Sequence, residues 1–350
     1  MIRKWATAAA ALVLLLSGCS QAKHAKEPIK KPQEKAPVVK TADKDDQYPY
    51  HFPLTGMGTQ TKPEDRAVAV MINNHPKARP QSGLNKADIV YELLAEGDIT
   101  RFLAVFQSEK PEKVGPVRSA RSYFVKLAKG FNSLYIAHGY SPEAKEMLES
   151  GYVDNLNGMV YDGTLFKRAS FRKAPHNSYI TYENILKGAA MKKYKMDTPP
   201  AAFTYMSKKE SAKITGKDAS SVKVSYFSNT QFDSKYVYDS ASGKYKRFSD
   251  GEQTVDLESK EPVLLNNILI LEMVHKVVDS AGHRDIDLQS GGNGYLLQKG
   301  KVNEIEWKNV EGRIVPFLNG NQAPLVQGKT WVNIVPAEPG LSKSVTFNAD

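Results

Sequence analysis

The chain is poor in cysteine. Cys19 is the single one in 350 residues, so no disulfide closes within the chain, and neither a cysteine-rich zinc site nor a thioredoxin-like pair can be built. Long apolar runs are missing as well: residues 6–16 are uncharged but fall well short of the ~20 residues that cross a membrane as a helix. Neither Gly-x-Ser-x-Gly nor His-Glu-x-x-His occurs, and there is no Walker A loop or dinucleotide fingerprint. Those absences remove the hydrolase and nucleotide-binding classes that such patterns mark. The composition, 41% hydrophobic and 25% charged, is that of an ordinary globular protein, and the length favours two domains over one.

The N-terminus is informative. Arg3 and Lys4 precede the uncharged run, which ends in Leu16-Ser17-Gly18-Cys19. This is the lipobox pattern: an aliphatic residue, two small residues that let extended backbone enter a peptidase, and the thiol that takes the lipid. Residues 1–18 are expected to be a lipoprotein signal peptide, removed to leave lipidated Cys19 as the first residue. Two acyl chains on Cys19 suffice for stable attachment, at ~0.8 kcal/mol per buried CH₂. The membrane is therefore a partner, reached at the outer face of the cell membrane. Residues 19–47 follow as a disordered tether rich in lysine and proline. Its 28 residues after Cys19 would reach roughly 30 Å as a flexible coil.

Charge is unevenly spread. Residues 47–200 hold 21 basic and 15 acidic side chains, whereas residues 201–350 hold 18 of each. The net charge of +10 thus lies outside the last 150 residues. Secretion and a one-sided excess point to an anionic wall polymer or envelope protein as partner, and away from nucleic acid. The basic and aromatic interleaving that lines single-strand grooves is also lacking.

Pattern predicts an α+β fold: a mixed α/β domain over residues 48–198 and a mostly β domain over residues 199–350, divided at Pro199-Pro200. Strands are expected at residues 68–72, 88–91, 100–106 and 133–138, with helices opened by Pro116, by Pro142 and after Thr181. Beyond the Pro-Pro pair, residues 236–248 read as a hairpin and residues 267–278 as a long strand, with a helix as the alternative. Short strands near Leu296, Ile305, Ile314 and Trp331 follow as a meander.

The strongest polar constellation is Gly115-Pro116-Val117-Arg118-Ser119-Ala120-Arg121. If Pro116 opens a helix, Arg118 and Arg121 share its face in the first turns, where the dipole disfavours cations. A bound anion would compensate. So would nearby acids, Glu92 or Glu96, acting in an internal network, and both readings stay open. Arg79, Arg101, Arg118, Ser119, Arg121, Arg172 and His176 are the candidate anion-binding residues. The loop at residues 73–81, the turn at residues 96–101 and the basic loops near Lys167 and Arg172 could complete the site. His138 follows a strand, where open α/β sheets bind ligands. For catalysis the candidates are Glu92 or Glu96 as base and His138 or His176 as acid/base. No ligand-like spacing supports a metal, and no cofactor is expected.

Five runs taken together resemble the YerB-type lipoproteins of Gram-positive bacteria. They are Ala78-Arg79-Pro80-Gln81-Ser82-Gly83-Leu84, Ala87-Asp88-Ile89-Val90-Tyr91-Glu92, Glu96-Gly97 with Thr100-Arg101-Phe102, residues 115–121, and Pro175-His176-Asn177. The resemblance runs from about Gly56 onward. It implies a lipid-anchored envelope protein with an N-terminal and a C-terminal domain behind a lipobox, and it carries over no catalytic residues. Two functions follow for test: a non-enzymatic envelope protein binding an anionic ligand or a membrane or wall partner, and an envelope hydrolase or transferase acting on a phosphorylated or glycosidic substrate.

Overall fold

A computed structural model describes residues 47–348. The expected signal peptide, Cys19 and nearly all of the tether lie outside the described residues.

The described chain is organised on a twelve-stranded mixed sheet. Its principal strands lie in the order Arg313–Leu318, Lys301–Val310, Gly292–Gln298, Asn267–Met273, Thr330–Pro336, Ile89–Leu94, Thr100–Phe106, Val68–Asn73, Leu134–Ala137 and Asn155–Asn157. Thr330–Pro336 and Ile89–Leu94 pair in parallel, with Trp331 opposite Val90. Segments from both sides of Pro199-Pro200 therefore share one sheet.

The middle strands are apolar without alternation because both sheet faces are covered. Val68, Val70 and Ile72 pack to one side, while Ala69 and Met71 pack to the other. The first side is closed by a second, six-stranded sheet that includes Ser221–Val224, Ser234–Asp239 and Lys244–Ser249. Those strands do alternate: Val222, Val224, Tyr236 and Tyr245 point into the shared layer, with Ile185 and Ala189 of the helix Tyr182–Met191. The opposite side is closed by the helix Ser122–Gly130 through Tyr123, Phe124, Leu127 and Ala128.

The α+β class is observed. Four of the six α-helices among the described residues precede Pro199, and strands dominate after it. The helix Pro142–Glu149 begins at its proline, and Tyr182–Met191 is capped by Thr181 Oγ1, which accepts from Asn184 N–H at 3.1 Å. Three expectations are corrected. Pro116 opens no helix; residues 115–120 are extended, with Val117 bridged to Ile72, and the helix starts only at Ser122. Backbone bonds to the flanking strand outweigh the local helix signal there. The long strand over residues 267–278 ends at Met273, and His275–Val277 leaves to pair with Arg284–Ile286. The meander also breaks: Thr330–Pro336 crosses to the far side of Asn267–Met273 and pairs in parallel with it. All seven of its residues are buried, which suits an interior slot and not an edge.

Candidate anion-binding site

Val68–Asn73, Leu134–Ala137 and Asn155–Asn157 are mutually parallel, so Asn73, His138 and Asn157 lie at the same end of the sheet. The extended segment carrying Arg118 threads through this end. Asn73 N–H donates to Pro116 O at 2.9 Å, Arg118 N–H to Met71 O at 2.9 Å, and His138 N–H to Arg118 O at 3.0 Å. Val117 N–H reaches Ser178 O at 2.7 Å and so ties in the strand Ser178–Thr181. This is the carboxyl end of parallel strands, the usual ligand crevice of open sheets.

The two arginines expected to act together are separated. Three residues apart on extended backbone, Arg118 and Arg121 point to opposite sides. Arg121 is buried and pairs with Glu96. Glu96 also takes Arg101, whose Nη2 lies 2.9 and 2.7 Å from the two carboxylate oxygens, while Arg101 Nη1 donates to Ser119 O at 2.8 Å. Arg101, Arg121 and Glu96 thus form an internal network. Arg118 is different. It is half-buried, and no ion pair or hydrogen bond joins its guanidinium to the described residues. Burial, then Arg101, pushes its pKa down to about 10.

Around Arg118 stand three histidines. His75 and His176 stack with ring centroids 4.5 Å apart and planes inclined by 31°. Each uses its Nδ1 as an acceptor. Lys77 N–H donates to His75 Nδ1 at 3.1 Å, closing the start of a short 3₁₀ turn. Asn73 Nδ2 lies 2.9 Å from His176 Nδ1. The Asn73 amide is oriented by His75 N–H, which donates to Asn73 Oδ1 at 3.0 Å, so the NH₂ side faces His176. Burial, then Lys77, Arg79 and Arg118, lowers the pKa of His75. Burial, then His75, Arg118, Lys77 and Arg172, lowers that of His176.

His138 is committed on both ring nitrogens. Nδ1 lies 2.8 Å from Ser178 Oγ, and Nε2 lies 2.9 Å from Arg168 Nη2. A guanidinium only donates, so Nε2 accepts and Nδ1 carries the proton toward Ser178. Burial and Arg168 lower its pKa. In this state His138 cannot take a proton from Ser178. Gly158 fits against the ring, where a Cβ would stand 2.1 Å from His138 Nδ1.

The remaining candidates are held structurally. Arg79 donates to Asn74 O and Oδ1, both at 3.1 Å, and to Gln231 O at 2.8 Å. Arg172 donates to Tyr179 Oη at 2.6 Å and Pro80 O at 2.8 Å. Ser119 Oγ donates to His138 O at 3.2 Å. Glu92 is fully buried and accepts from Asn74, Thr100, Ser234, Arg247 and Trp331. Glu92 therefore sits inside the core, and Glu96 belongs to the Arg101–Arg121 network. The structure brings Arg118 and His176 together and adds His75 and Asn73. The sequence signal for that pair is a run of polar residues, Asn73-Asn74-His75, directly after a wholly buried strand.

Two cavities have none of Asn73, His75, Arg118, His138 and His176 in their lining. One of about 580 Å³ is lined by Lys126, Tyr152, Leu288 and Gly312, and one of about 510 Å³ by Lys223, Lys235 and Phe248. Among the described residues no group of three His, Asp or Glu is placed to hold a metal, and no helix is long and apolar enough to cross a membrane.

Comparison with known proteins places these observations in a family. Residues 54–195 match the N-terminal domain, and residues 222–332 the C-terminal domain, described as a protein of unknown function (DUF3048). The chain is 52% identical over 308 residues to "Putative lipoprotein YerB" of Bacillus subtilis (strain 168), covering 87% of this chain and 90% of that protein. A crystal structure of the YerB protein from Bacillus subtilis superposes with a TM-score of 0.79 at 50% identity, over 85% of this chain and 99% of that one. The chain belongs to the DUF3048 family, the family of the YerB lipoprotein.

Proposed function

We propose that this protein is attached to the outer face of the cell membrane through lipidated Cys19 and binds an anionic component of the cell envelope at the sheet end around Arg118. The lipobox and the lipoprotein name of the relative support the attachment. One observation carries the binding: a half-buried guanidinium that finds no counter-charge among the described residues, beside two stacked histidines and the cation Lys77. An uncompensated buried cation costs stability, and an anion that arrives with its own charge removes that cost. The hydrolase reading has less support, because His138 donates toward Ser178 and Glu92 is enclosed by five donors.

Thermal denaturation with inorganic phosphate and phosphate-bearing wall fragments tests the reading. A ligand at 100 times its Kd raises stability by about 2.7 kcal/mol. That stabilisation is expected in the natural protein and not in a folded Arg118→Ala variant. The same stabilisation in both would remove Arg118 from the site.

A further inference from the structure

We propose that the sheet end carrying Arg118 docks on an anionic lipid bilayer, with Val160 and Phe171 entering the interface and the lysines beside them meeting the headgroups. The inference rests on the attachment through Cys19 and does not depend on what Arg118 binds.

Exposure singles out the two residues. Among the large apolar side chains of the described residues, Val160 at 73% and Phe171 at 62% are the most exposed, and Met159 beside the first is 60% exposed. Both positions belong to the Arg118 end. Gly158–Tyr161 is one helical turn that directly follows Asn155–Asn157, at the carboxyl end of that strand. Phe171 lies in the loop between Phe166–Arg168 and Ser178–Thr181, which pair with Arg168 opposite Ser178. Arg168 joins the two pieces: its Nη2 lies 2.9 Å from Asp162 Oδ2 and 2.9 Å from His138 Nε2. Both tips border the histidines around Arg118, because Gly158 packs on His138 and the loop of Phe171 ends at His176, stacked on His75.

The same tips are basic. Residues 158–176 hold Lys167, Arg168, Arg172 and Lys173 against one acid, Asp162. Arg168 already takes that acid, so the exposed Lys167 and Lys173 leave the stretch positive. Exposed Lys77 adds to this across the His75–His176 stack. Apolar side chains bordered by cations suit a bilayer interface, where the apolar body enters the acyl boundary and the cation meets an anionic headgroup. A protein partner would cover one contiguous apolar core with a polar rim. Here the apolar groups stand on two separate tips, with cations in the chain between them.

Chain length permits this orientation. The chain enters at the other end of the sheet, where Thr55 O accepts from Gly328 N–H at 2.7 Å, just before the strand Thr330–Pro336. Strands of six or seven residues separate the two ends by about 20 Å. The tether after Cys19 would span roughly 30 Å as a coil, enough for the far end to turn to the membrane. Acyl chains that hold the protein beside the bilayer also raise the local concentration of its surface, so modest docking contacts suffice.

The test uses the full chain, anchored by its own lipid in vesicles of phosphatidylcholine and phosphatidylglycerol with brominated acyl chains. Trp307 and Trp331 are 1% and 0% exposed and give a constant background. Phe171→Trp and Val160→Trp place a reporter on each tip. Met191→Trp is the control: Met191 is 58% exposed, and the segment after it reaches Arg66, beside the opposite end of the sheet, through Met196 O. Quenching by the brominated lipid is expected at both tips, at least about twofold above the control, and weaker in phosphatidylcholine alone or in high salt. Equal quenching at all three positions, or none at either tip, would overturn the docking; none is also the outcome if a protein covers this end. Tip quenching that is undiminished without phosphatidylglycerol would overturn the anionic surface as the occupant. Mass spectrometry of the purified chain separates the two readings. Absence of lipid on Cys19 would defeat the attachment and this inference with it, whereas lipid present without tip quenching would defeat this inference alone.

Discussion

Glu92 and Arg247 form an ion pair with no access to solvent: Oε2 lies 2.9 Å from Nη2, and the side chains are 0% and 1% exposed. Glu92 belongs to the N-terminal family segment and Arg247 to the C-terminal one. The guanidinium lies 4.5 Å from the Trp331 ring centroid and 5.2 Å from that of Phe102. The pair therefore fastens the second sheet to the first at the point where the two segments meet. Removing one partner leaves a buried charge, so Arg247→Ala is expected to lose about 3–5 kcal/mol in a urea titration. The double variant Glu92→Gln/Arg247→Met should recover part of that loss. Equal losses for both would show that packing around the arginine, and not its charge, is what matters.

Arg118 predicts the opposite sign. Its guanidinium is half-buried and finds no acid among the described residues, so without ligand the natural side chain is a net cost. Arg118→Ala is expected to leave stability unchanged or to raise it by up to about 1 kcal/mol, while abolishing stabilisation by anions. A loss above about 2 kcal/mol in denaturant would mean that Arg118 is an ordinary structural residue.

His275 makes stability depend on pH. Both ring nitrogens are buried with no partner among the described residues, and burial, then Arg284, pushes its pKa down to about 3. The folded state thus binds fewer protons than the unfolded chain, whose histidine titrates near 6.5. Stability from this group is complete above pH 6.5 and is lost as pH falls toward 3, at up to about 1.4 kcal/mol per unit. Urea midpoints at pH 7 and pH 4.5 should diverge in the natural protein. His275→Phe should reduce the difference; an unchanged difference would assign the acid sensitivity to other groups.

Gly130 closes the helix Ser122–Gly130 against the turn at Gly312. A Cβ on Gly130 would stand 2.2 Å from Gly312 O, a backbone atom that cannot swing aside. Gly130→Ala is expected to cost about 1–3 kcal/mol despite its higher helix propensity. Thermal melting of this one variant decides the point, because propensity alone predicts a gain.

Much of the architecture was legible because local chemistry and tertiary environment agree. The strand Thr100–Phe106 is apolar enough to be read directly, and Thr181 and Pro142 mark helix starts by capping rules that act within one turn. Residues 115–121 depart from their local helix signal for a physical reason. Pro116 and the sequence after it favour a helix locally, but the backbone partners that hold this segment extended, Met71, Asn73 and Ser178, are distant in the chain. The Arg118–Arg121 pairing fell with that helix. Glu92 and Glu96 are both possible internal counter-charges by sequence; the fold decides that Glu96 takes Arg101 and Arg121, and that Glu92 takes Arg247, 155 residues away.

Residue order alone is enough to specify the lipobox at Cys19, the uneven charge and the α+β succession of elements. Each depends on short-range pattern: the lipobox pattern spans four residues, and capping and alternation act over a few more. The shared sheet, the stacked histidine pair and the half-buried Arg118 depend on which distant segments come to lie side by side. That was decided by burying both faces of the central strands, which draws Thr330–Pro336 against Ile89–Leu94 and leaves the polar ends of the parallel strands gathered at one edge.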